Sequence, residues 1–131
     1  MKSIKYLTLV DVIAIHDNMV SLYGGSLGIR DLGLVESAIS RPQATFGGQD
    51  LYPTIFLKAA ALFHSLMFNH AFVDGNKRTT ITTTARFLSI NGHELIATDR
   101  EFVDFPLKVE NNHLSFEEIA KWLKKYSKKV K

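Results

Sequence analysis

A ten-residue stretch near the middle of the chain holds side chains that together could transfer a phosphoryl or nucleotidyl group. It reads His70-Ala71-Phe72-Val73-Asp74-Gly75-Asn76-Lys77-Arg78-Thr79. An imidazole, whose ordinary pKa lies near neutral pH, can take a proton from an attacking hydroxyl. A carboxylate is a hard oxygen ligand of the kind that Mg²⁺ prefers. We therefore predict His70 as the general base and Asp74 as a magnesium ligand.

The residues that follow would place this stretch at the start of a helix. Positions from about 76 to 90 can form a helix that Asn91-Gly92 would end. Unpaired N–H groups and the helix dipole attract anions to such an N-terminus, whereas Lys77 and Arg78 oppose that dipole. An anionic ligand would remove this conflict. We predict that the phosphates of a nucleotide contact four residues, namely Gly75, Asn76, Lys77 and Arg78.

Structural roles could explain some of the same residues. A lone histidine is more often structural than catalytic, and Asp74 could simply cap the following helix. Asn76 could cap the helix, bind phosphate, or do both. Phe72 is predicted to anchor the loop in the core. Of the other histidines, we expect a buried or hydrogen-bonded position for His64 and surface positions for His16, His93 and His113.

Motifs of other metal and nucleotide sites are absent from the sequence. It contains no HExxH, GxxxxGK[ST] or GxGxxG pattern, which argues against a zincin, a P-loop and a Rossmann site. It also contains no cysteine, which excludes a disulfide scaffold and a thiolate zinc site. With 131 residues we expect one domain, residues 1–131.

The charge distribution argues against nucleic acid as a partner. The net charge is +3, but positions 121–131 hold six lysines and no acid. Without them, 10 cations face 13 acids, or −3, so no basic face crosses the domain. We interpret the tail as the solvated end of a helix, with a polyanion contact as the alternative. Neither Met1–Leu7 nor any other segment is apolar enough for a signal peptide or membrane span, so we expect a cytoplasmic protein.

Capping residues and apolar periodicity predict an all-α bundle of about six helices. The first four predicted helices run from Thr8 to Tyr23, from Asp31 to a point before Pro42, over about 53–68 with Pro53 in the first turn, and over about 76–90. The fifth begins at Asp99, with a kink or early end at Pro106, and is followed by a turn at Asn111-Asn112-His113. The sixth runs from Ser115 onwards. The third helix is apolar nearly all round, as expected of a central buried helix.

Two segments have weaker patterns. The run Thr79–Thr84 is rich in β-branched residues and by propensity would be a strand. The helical spacing of Ile81, Ala85 and Leu88 favours a helix instead. Positions 41–52, RPQATFGGQDLY, show no helical period, and Phe46-Gly47-Gly48 is typical of a turn between two short extended arms. We predict a hairpin or flap there.

The motif fits the pattern HxFx[D/N]xNKR, and the chain resembles the Fic/Doc family in its death-on-curing branch. The resemblance continues through HDNMVSLYGG, ESAISRPQATFGG, DLYPTIFLKAAALFHSL and FLSINGHEL. It implies a compact helical fold with the motif between two central helices, and a flap over 41–52 that holds the target protein's segment by strand addition. The implied roles are general base for His70, Mg²⁺ ligand for Asp74, and phosphate binding for Asn76, Lys77 and Arg78.

Three positions depart from the AMP-transferring Fic pattern HPFx[D/E]GNGRxxR. Ala71, Lys77 and Ile81 stand where that pattern has proline, glycine and arginine. Glycine lets backbone N–H groups form an anion nest, whereas a lysine side chain fills that space with its own charge. The resemblance to the NKR form implies transfer of the γ-phosphate of ATP to a protein hydroxyl. In the death-on-curing branch the resemblance implies that this hydroxyl belongs to a threonine of elongation factor Tu, and that translation stops.

Two alternatives to a toxin-like kinase remain at this point. The enzyme could transfer AMP or another nucleotide, or the chain could be a non-catalytic module that binds a nucleotide or a partner. Self-inhibited Fic proteins carry an [S/T]xxxE[G/N] helix, and no glutamate here has Ser or Thr four residues before it. We therefore expect an antitoxin partner to inhibit the protein in trans.

Overall fold

Six α-helices and four short strands form the part of the chain that the computed structural model describes, residues 3–130. The helices are α1 Leu9–Tyr23, α2 Leu32–Ser40, α3 Ile55–Asn69, α4 Asn76–Ile90, α5 Asp99–Asn112 and α6 Phe116–Lys125, with a 3₁₀ turn at Arg41–Gln43. The strands are β1 Thr45–Phe46, β2 Gln49–Asp50, β3 His93–Leu95 and β4 Ser127–Lys129. The all-α bundle is confirmed. Sequence predictions that involve Met1, Lys2 and Lys131 lie outside the described residues.

Helix α3 lies at the centre of the core, as its apolar sequence predicted. It packs against α2, α4 and α6, and Phe63 at its middle is 0% exposed. Burying such a ring stabilises the fold by roughly 1.5–3 kcal/mol. In the described chain, no helix is both long and apolar enough to cross a membrane.

Helix α4 forms despite its run of threonines. The hydroxyl of Thr80 donates to the carbonyl of Asn76 at 2.7 Å, and that of Thr84 donates to the carbonyl of Thr80 at 2.8 Å. These bonds satisfy the buried hydroxyls of Thr80 and Thr84 inside the helix, whereas those of Thr79 and Thr83 have no hydrogen-bond partner among residues 3–130. The predicted helix and its end at Asn91-Gly92 are both confirmed.

The first turn of α3 differs from the prediction. Pro53 was expected inside it, but the helix begins at Ile55, and Thr54 is its N-cap. The hydroxyl of Thr54 accepts a hydrogen bond from the N–H of Leu57 at 3.1 Å. A capping hydroxyl satisfies a free donor, which proline cannot do, so the helix starts after Thr54.

Two predictions near the C-terminus were wrong in part. The early end of α5 at Pro106 was wrong, whereas a kink there stays a prediction. The helix continues to Asn112, because Phe105, Pro106 and Val109 are buried against the core and compensate for one lost hydrogen bond. Of the expected turn, only His113 leaves the helix, with φ 50°. The lysine-rich tail is a helix end only in its first part: α6 ends at Lys125 with Lys124 and Lys125 in its last turn, whereas Ser127–Lys129 form β4 and pair antiparallel with β3.

The flap prediction is confirmed. Strands β1 and β2 pair antiparallel, with Thr45 opposite Asp50 and Phe46 opposite Gln49. The turn between them is Gly47-Gly48, with φ values of 59° and 80°. Two successive residues with positive φ match the hairpin turns that glycine makes easily.

Candidate active site

The motif residues meet at a cleft of about 490 Å³ between the end of α3 and the start of α4. All six residues that the sequence singled out line this cleft, namely His70, Asp74, Gly75, Asn76, Lys77 and Arg78. Glu110 from α5 and Tyr23 from α1 close two of its sides. The motif residues, which are close in sequence, therefore form one part of the cleft. Its other walls come from α1 and α5, which are distant in sequence.

His70 ends α3 in a left-handed conformation, with φ 49° and ψ 50°. This conformation costs a non-glycine residue about 1–2 kcal/mol, so the surrounding structure must hold it. The guanidinium of Arg30 donates to the His70 carbonyl, and the Arg30 N–H donates to the carbonyl of Ala71 at 2.7 Å. The half-buried ring accepts no hydrogen bond from any described residue. Its nitrogens are therefore available to a substrate hydroxyl.

Asp74 is held by two contacts from the N-terminal part of the chain. Its Oδ2 accepts the N–H of Ser26 at 2.8 Å, and its backbone carbonyl accepts from Nε2 of His16 at 2.7 Å. The capping alternative for Asp74 was wrong, because Gly75 is the N-cap of α4 and no side chain caps it. Within residues 3–130, Oδ1 of this exposed carboxylate has no partner. It could bind a cation.

His16 was expected at the surface, and that prediction was wrong. The residue is 1% exposed, and its ring stacks on that of Phe72 with centroids 3.9 Å apart. Phe72 itself is buried, which confirms it as the core anchor of the loop. The sequence did contain a signal, because His16 lies on the buried stripe of α1 with Val12 and Met19.

The glycine-rich loop before α2 packs directly on the motif. Ile29 and Phe72 form an antiparallel bridge, and the N–H of Val73 donates to the carbonyl of Gly28 at 3.1 Å. A Cβ on Gly25, whose φ is 111°, would lie 3.1 Å from Cβ of Asp74. Only glycine allows this approach. No motif in this segment indicated such a role in advance.

Asn76 braces the motif loop from inside. Its Oδ1 accepts the N–H of Phe72 at 3.1 Å, and its Nδ2 donates to the Phe72 carbonyl at 2.9 Å. The proposed cap role for Asn76 was therefore wrong, because it is the first helical residue. One Nδ2 hydrogen is left over for another acceptor.

The N-terminus of α4 carries cations but no cap. Among the six α-helices of residues 3–130, it alone lacks a side-chain cap, and no acid lies in its first turn. Lys77 Nζ lies 3.2 Å from Oε1 of Glu110, and the Arg78 guanidinium lies 3.8 Å from the ring centroid of Tyr23. Free N–H groups and two cations at one helix end could bind an anion, as the sequence predicts. Glu110 and Tyr23 were not identified from the sequence.

A second depression continues from the cleft. It has a volume of about 660 Å³ and lies between α1, α4 and α5. Met19, Tyr23, Lys77 and Arg78 line both spaces. The further walls are largely apolar, and include Phe102, Val103 and Leu107.

The acids of the cleft suit a magnesium ion that arrives with a nucleotide. Across residues 3–130, no group of three or more His, Asp or Glu side chains is placed to hold a metal. Mg²⁺ usually keeps several waters and takes one or two carboxylates together with substrate phosphates. The free oxygen of Asp74, beside the anion site of α4, matches that requirement.

The chain belongs to the Fic/DOC family, whose model matches residues 6–88. Over 75 residues it is 55% identical to "Toxin Doc" of Mycolicibacterium smegmatis, which covers 57% of this chain and 58% of that protein. The alignment thus spans little more than half of that relative. Over 121 residues it is 28% identical to "Protein kinase doc" of Escherichia phage P1, which covers 92% and 94% of the two chains. The predicted likeness to the death-on-curing branch is confirmed.

Proposed function

We propose that this protein is a toxin-like kinase that moves the γ-phosphate of ATP to a serine or threonine hydroxyl of a protein. The observation that carries the proposal is the meeting of His70, Asp74 and the uncapped, cationic N-terminus of α4 in one cleft. The names of two relatives, "Toxin Doc" and "Protein kinase doc", support both the toxic role and the type of reaction.

In this mechanism the ring of His70 takes the proton of the attacking hydroxyl. The hydroxyl oxygen forms a bond to the γ-phosphorus while the bond from that phosphorus to the bridging oxygen of ADP breaks. The N–H groups of α4, with Lys77 and Arg78, bind the phosphate oxygens and orient them. Asp74 would hold Mg²⁺, and the bound ion would neutralise part of the phosphate charge. Arg30 keeps His70 in the conformation that presents its ring to the cleft.

Lys77 favours phosphate transfer over AMP transfer. Its side chain extends across the cleft to Glu110 of α5, where a glycine would leave open space. A point charge in that place competes with a backbone nest for the phosphates and favours a different orientation of the nucleotide. Transfer of AMP is the second candidate, because the family assignment applies to both chemistries.

Intact mass spectrometry after incubation with Mg·ATP and elongation factor Tu, the proposed target, tests this function. Phosphate adds about 80 Da and AMP about 329 Da to the hydroxyl that the site activates. We expect the smaller shift, and we expect His70→Ala to abolish it. His113→Ala is a matched control, because His113 is exposed and has nearly the same left-handed backbone as His70. Absence of both adducts on every candidate target would refute a transferase.

We further propose that an antitoxin in the cytoplasm restrains the protein by binding to it. The name "Toxin Doc" of one relative supports this partner. Expression of the wild-type chain alone should slow growth, and His70→Ala should restore it. Full growth with soluble wild-type protein would argue against a toxin. Slow growth with His70→Ala would instead favour the alternative of a non-catalytic binding module.

A further inference from the structure

A buried lysine on the central helix joins that helix to the flap. Lys58 of α3 is 1% exposed, although it carries a full charge. Its Nζ donates to the carbonyl of Pro42 and to Oδ2 of Asp50, each at 3.2 Å. Pro42 lies in the 3₁₀ turn at the start of the flap, and Asp50 lies on β2, the second strand of the flap. A buried ammonium is strongly destabilising without partners, so its position depends on these two contacts.

The outer part of the flap, from Ala44 to Leu51, has little else to fix its orientation. Each of its strands contains two residues, all of them exposed, and Phe46 is 83% exposed. From Ala44 to Leu51, the ion pair of Asp50 with Lys58 is the one side-chain hydrogen bond or ion pair to the remainder of residues 3–130. A hairpin this short is marginal on its own. Its orientation therefore depends on the ion pair between Asp50 and Lys58, which we call the tether.

The base of the flap is anchored separately. Nε of Arg41 donates to the Tyr52 hydroxyl at 2.8 Å, and its Nη1 donates to the Ser65 hydroxyl at 3.0 Å. Ser65 lies five residues before His70, or ~7.5 Å along the helix axis. A tilt of the flap about this base would therefore move its edge relative to the cleft. Removal of the tether should leave the base in place.

We propose that Lys58 and Asp50 are positioning residues that set the flap for an extended segment of the protein substrate. An exposed strand edge can bind such a segment through backbone hydrogen bonds, and it binds more tightly when it is ordered beforehand. The tether therefore controls the KM for the protein target and leaves nucleotide binding unchanged. The predicted effect on binding of the protein substrate rests on the proposed kinase function. The role of the tether in ordering the flap does not.

Hydrogen exchange of Asp50→Asn tests the tether without any catalysis. The N–H of Leu51 bonds to the carbonyl of Ala44 at 2.9 Å, and its exchange should become about tenfold faster when the flap opens more often. The amide of Lys58, bonded to Thr54, should not change. Asp104→Asn is the control, because it removes an exposed carboxylate of α5 that pairs with exposed Arg100. Unchanged exchange at Leu51 would overturn the tether.

Two further variants separate the tether from a loss of folding. Asp50→Glu keeps a carboxylate within reach of Lys58 and should restore most of the protection of Leu51. Lys58→Met keeps a linear side chain on α3 without burying a charge and should accelerate exchange as Asp50→Asn does. If Lys58→Met retains wild-type protection at Leu51 in a folded protein, the ammonium has no positioning role.

Kinetics of phosphate transfer test the predicted effect of the tether on binding of the protein substrate. For Asp50→Asn we expect the KM for the protein target to rise about tenfold, with kcat and the KM for ATP unchanged. Equal losses in the KM for ATP would overturn the assignment to the protein substrate. If the wild-type protein transfers no group at all, the kinase proposal fails, while the exchange experiment still decides the tether.

Discussion

At the scale of single residues, the ion pair between Lys77 and Glu110 is the contact that the proposed nucleotide would change. The two side chains are 40% and 33% exposed, so the pair is partly screened by water. A phosphate that binds Lys77 also comes close to the Glu110 carboxylate. Like charges at short distance repel, so we expect Glu110 to lower the affinity of the cleft for anions.

We predict that Glu110→Gln binds ADP about threefold more tightly, because an amide removes the repulsion at a partly exposed site. Titration calorimetry with Mg·ADP measures the affinity directly. Glu117→Gln, which neutralises an exposed acid in the first turn of α6, should leave the affinity unchanged. A weaker affinity of Glu110→Gln would mean that the carboxylate positions Lys77 and does not compete with the ligand.

His16 donates a hydrogen bond to the backbone carbonyl of Asp74, the predicted metal ligand. His16→Phe keeps a ring that can stack on Phe72, but it removes the Nε2 donor to the Asp74 carbonyl. We predict that the Mg²⁺ concentration for half-maximal activity rises about tenfold, as for other residues that orient a ligand. Activity measured against Mg²⁺ at saturating ATP provides this value. An unchanged Mg²⁺ requirement would limit His16 to a packing role.

These residues show which part of the site the sequence could predict. His70, Asp74, Gly75, Asn76, Lys77 and Arg78 are close in sequence, so their chemistry could be seen before the fold. Ser26 and Glu110 could not be found in this way, because they reach the cleft from segments more than thirty residues away. His16 was missed for another reason, since its position on an apolar stripe was visible but was not weighed.

At the scale of elements, tertiary contacts decided where local patterns were ambiguous. The threonines of α4 were correctly predicted as helical from the spacing of Ile81, Ala85 and Leu88, and Ile81 and Leu88 are buried in the bundle. Pro106 misled the prediction for α5, because the burial of Phe105 and Val109 is a property of the packed bundle. Glycine and proline patterns therefore predicted loops well but helix continuity poorly.

His64 links α3 to the 3₁₀ turn and should make stability depend on pH. Burial, and then the nearby charge of Arg41, lower the pKa of His64 below its ordinary 6.5. Its Nδ1 accepts from Nη1 of Arg41 at 3.2 Å, which requires the neutral ring. As the pH falls below 6.5, the unfolded chain takes up a proton at His64 before the folded protein does. Stability present above that pH is therefore lost on acidification.

We predict that His64→Gln, which keeps an acceptor but does not titrate, reduces the loss of stability between pH 7.5 and 5.5. Urea unfolding at several pH values measures it. The capping carboxylates of Asp11 and Glu101 have pKa values lowered by backbone hydrogen bonds from Thr8 and Thr98, so they remain ionised in this range. Exposed His113→Gln should leave the slope unchanged. An equal slope in the wild type and His64→Gln would contradict the assignment.

At the scale of the whole molecule, the chain is closed by a strand pair that the sequence did not predict. Strand β4 pairs with β3 from more than thirty residues earlier, and the N–H of Ile96 donates to the carbonyl of Tyr126 at 2.7 Å. The predicted solvated helix end holds for Lys121, Lys124 and Lys125 on α6, but local charge could not predict a strand that pairs with a distant segment. Lys128 and Lys129 instead lie on β4, opposite Glu94 and His93.

Gly92 tests how much this closure contributes to stability. Its φ is 85°, and an added Cβ would lie 3.3 Å from the carbonyl of Val130, while its own carbonyl accepts the N–H of Val130 at 2.8 Å. We predict that Gly92→Ala lowers the free energy of unfolding by about 1–3 kcal/mol, from backbone strain together with displacement of β4. Urea unfolding measures this loss, and Mg·ADP affinity should be unchanged, because neither β3 nor β4 lines the cleft.

Gly48→Ala separates strain from crowding in this experiment. Gly48 has a similar φ of 80°, but a Cβ there would meet no atom within 4 Å. Its loss of stability should therefore reflect strain alone and should be the smaller of the two. If Gly92→Ala and Gly48→Ala lose the same free energy of unfolding, the contact between Gly92 and Val130 contributes nothing beyond the strain of a local turn. In that case the pairing of β4 with β3 is not what holds the C-terminal segment on the bundle.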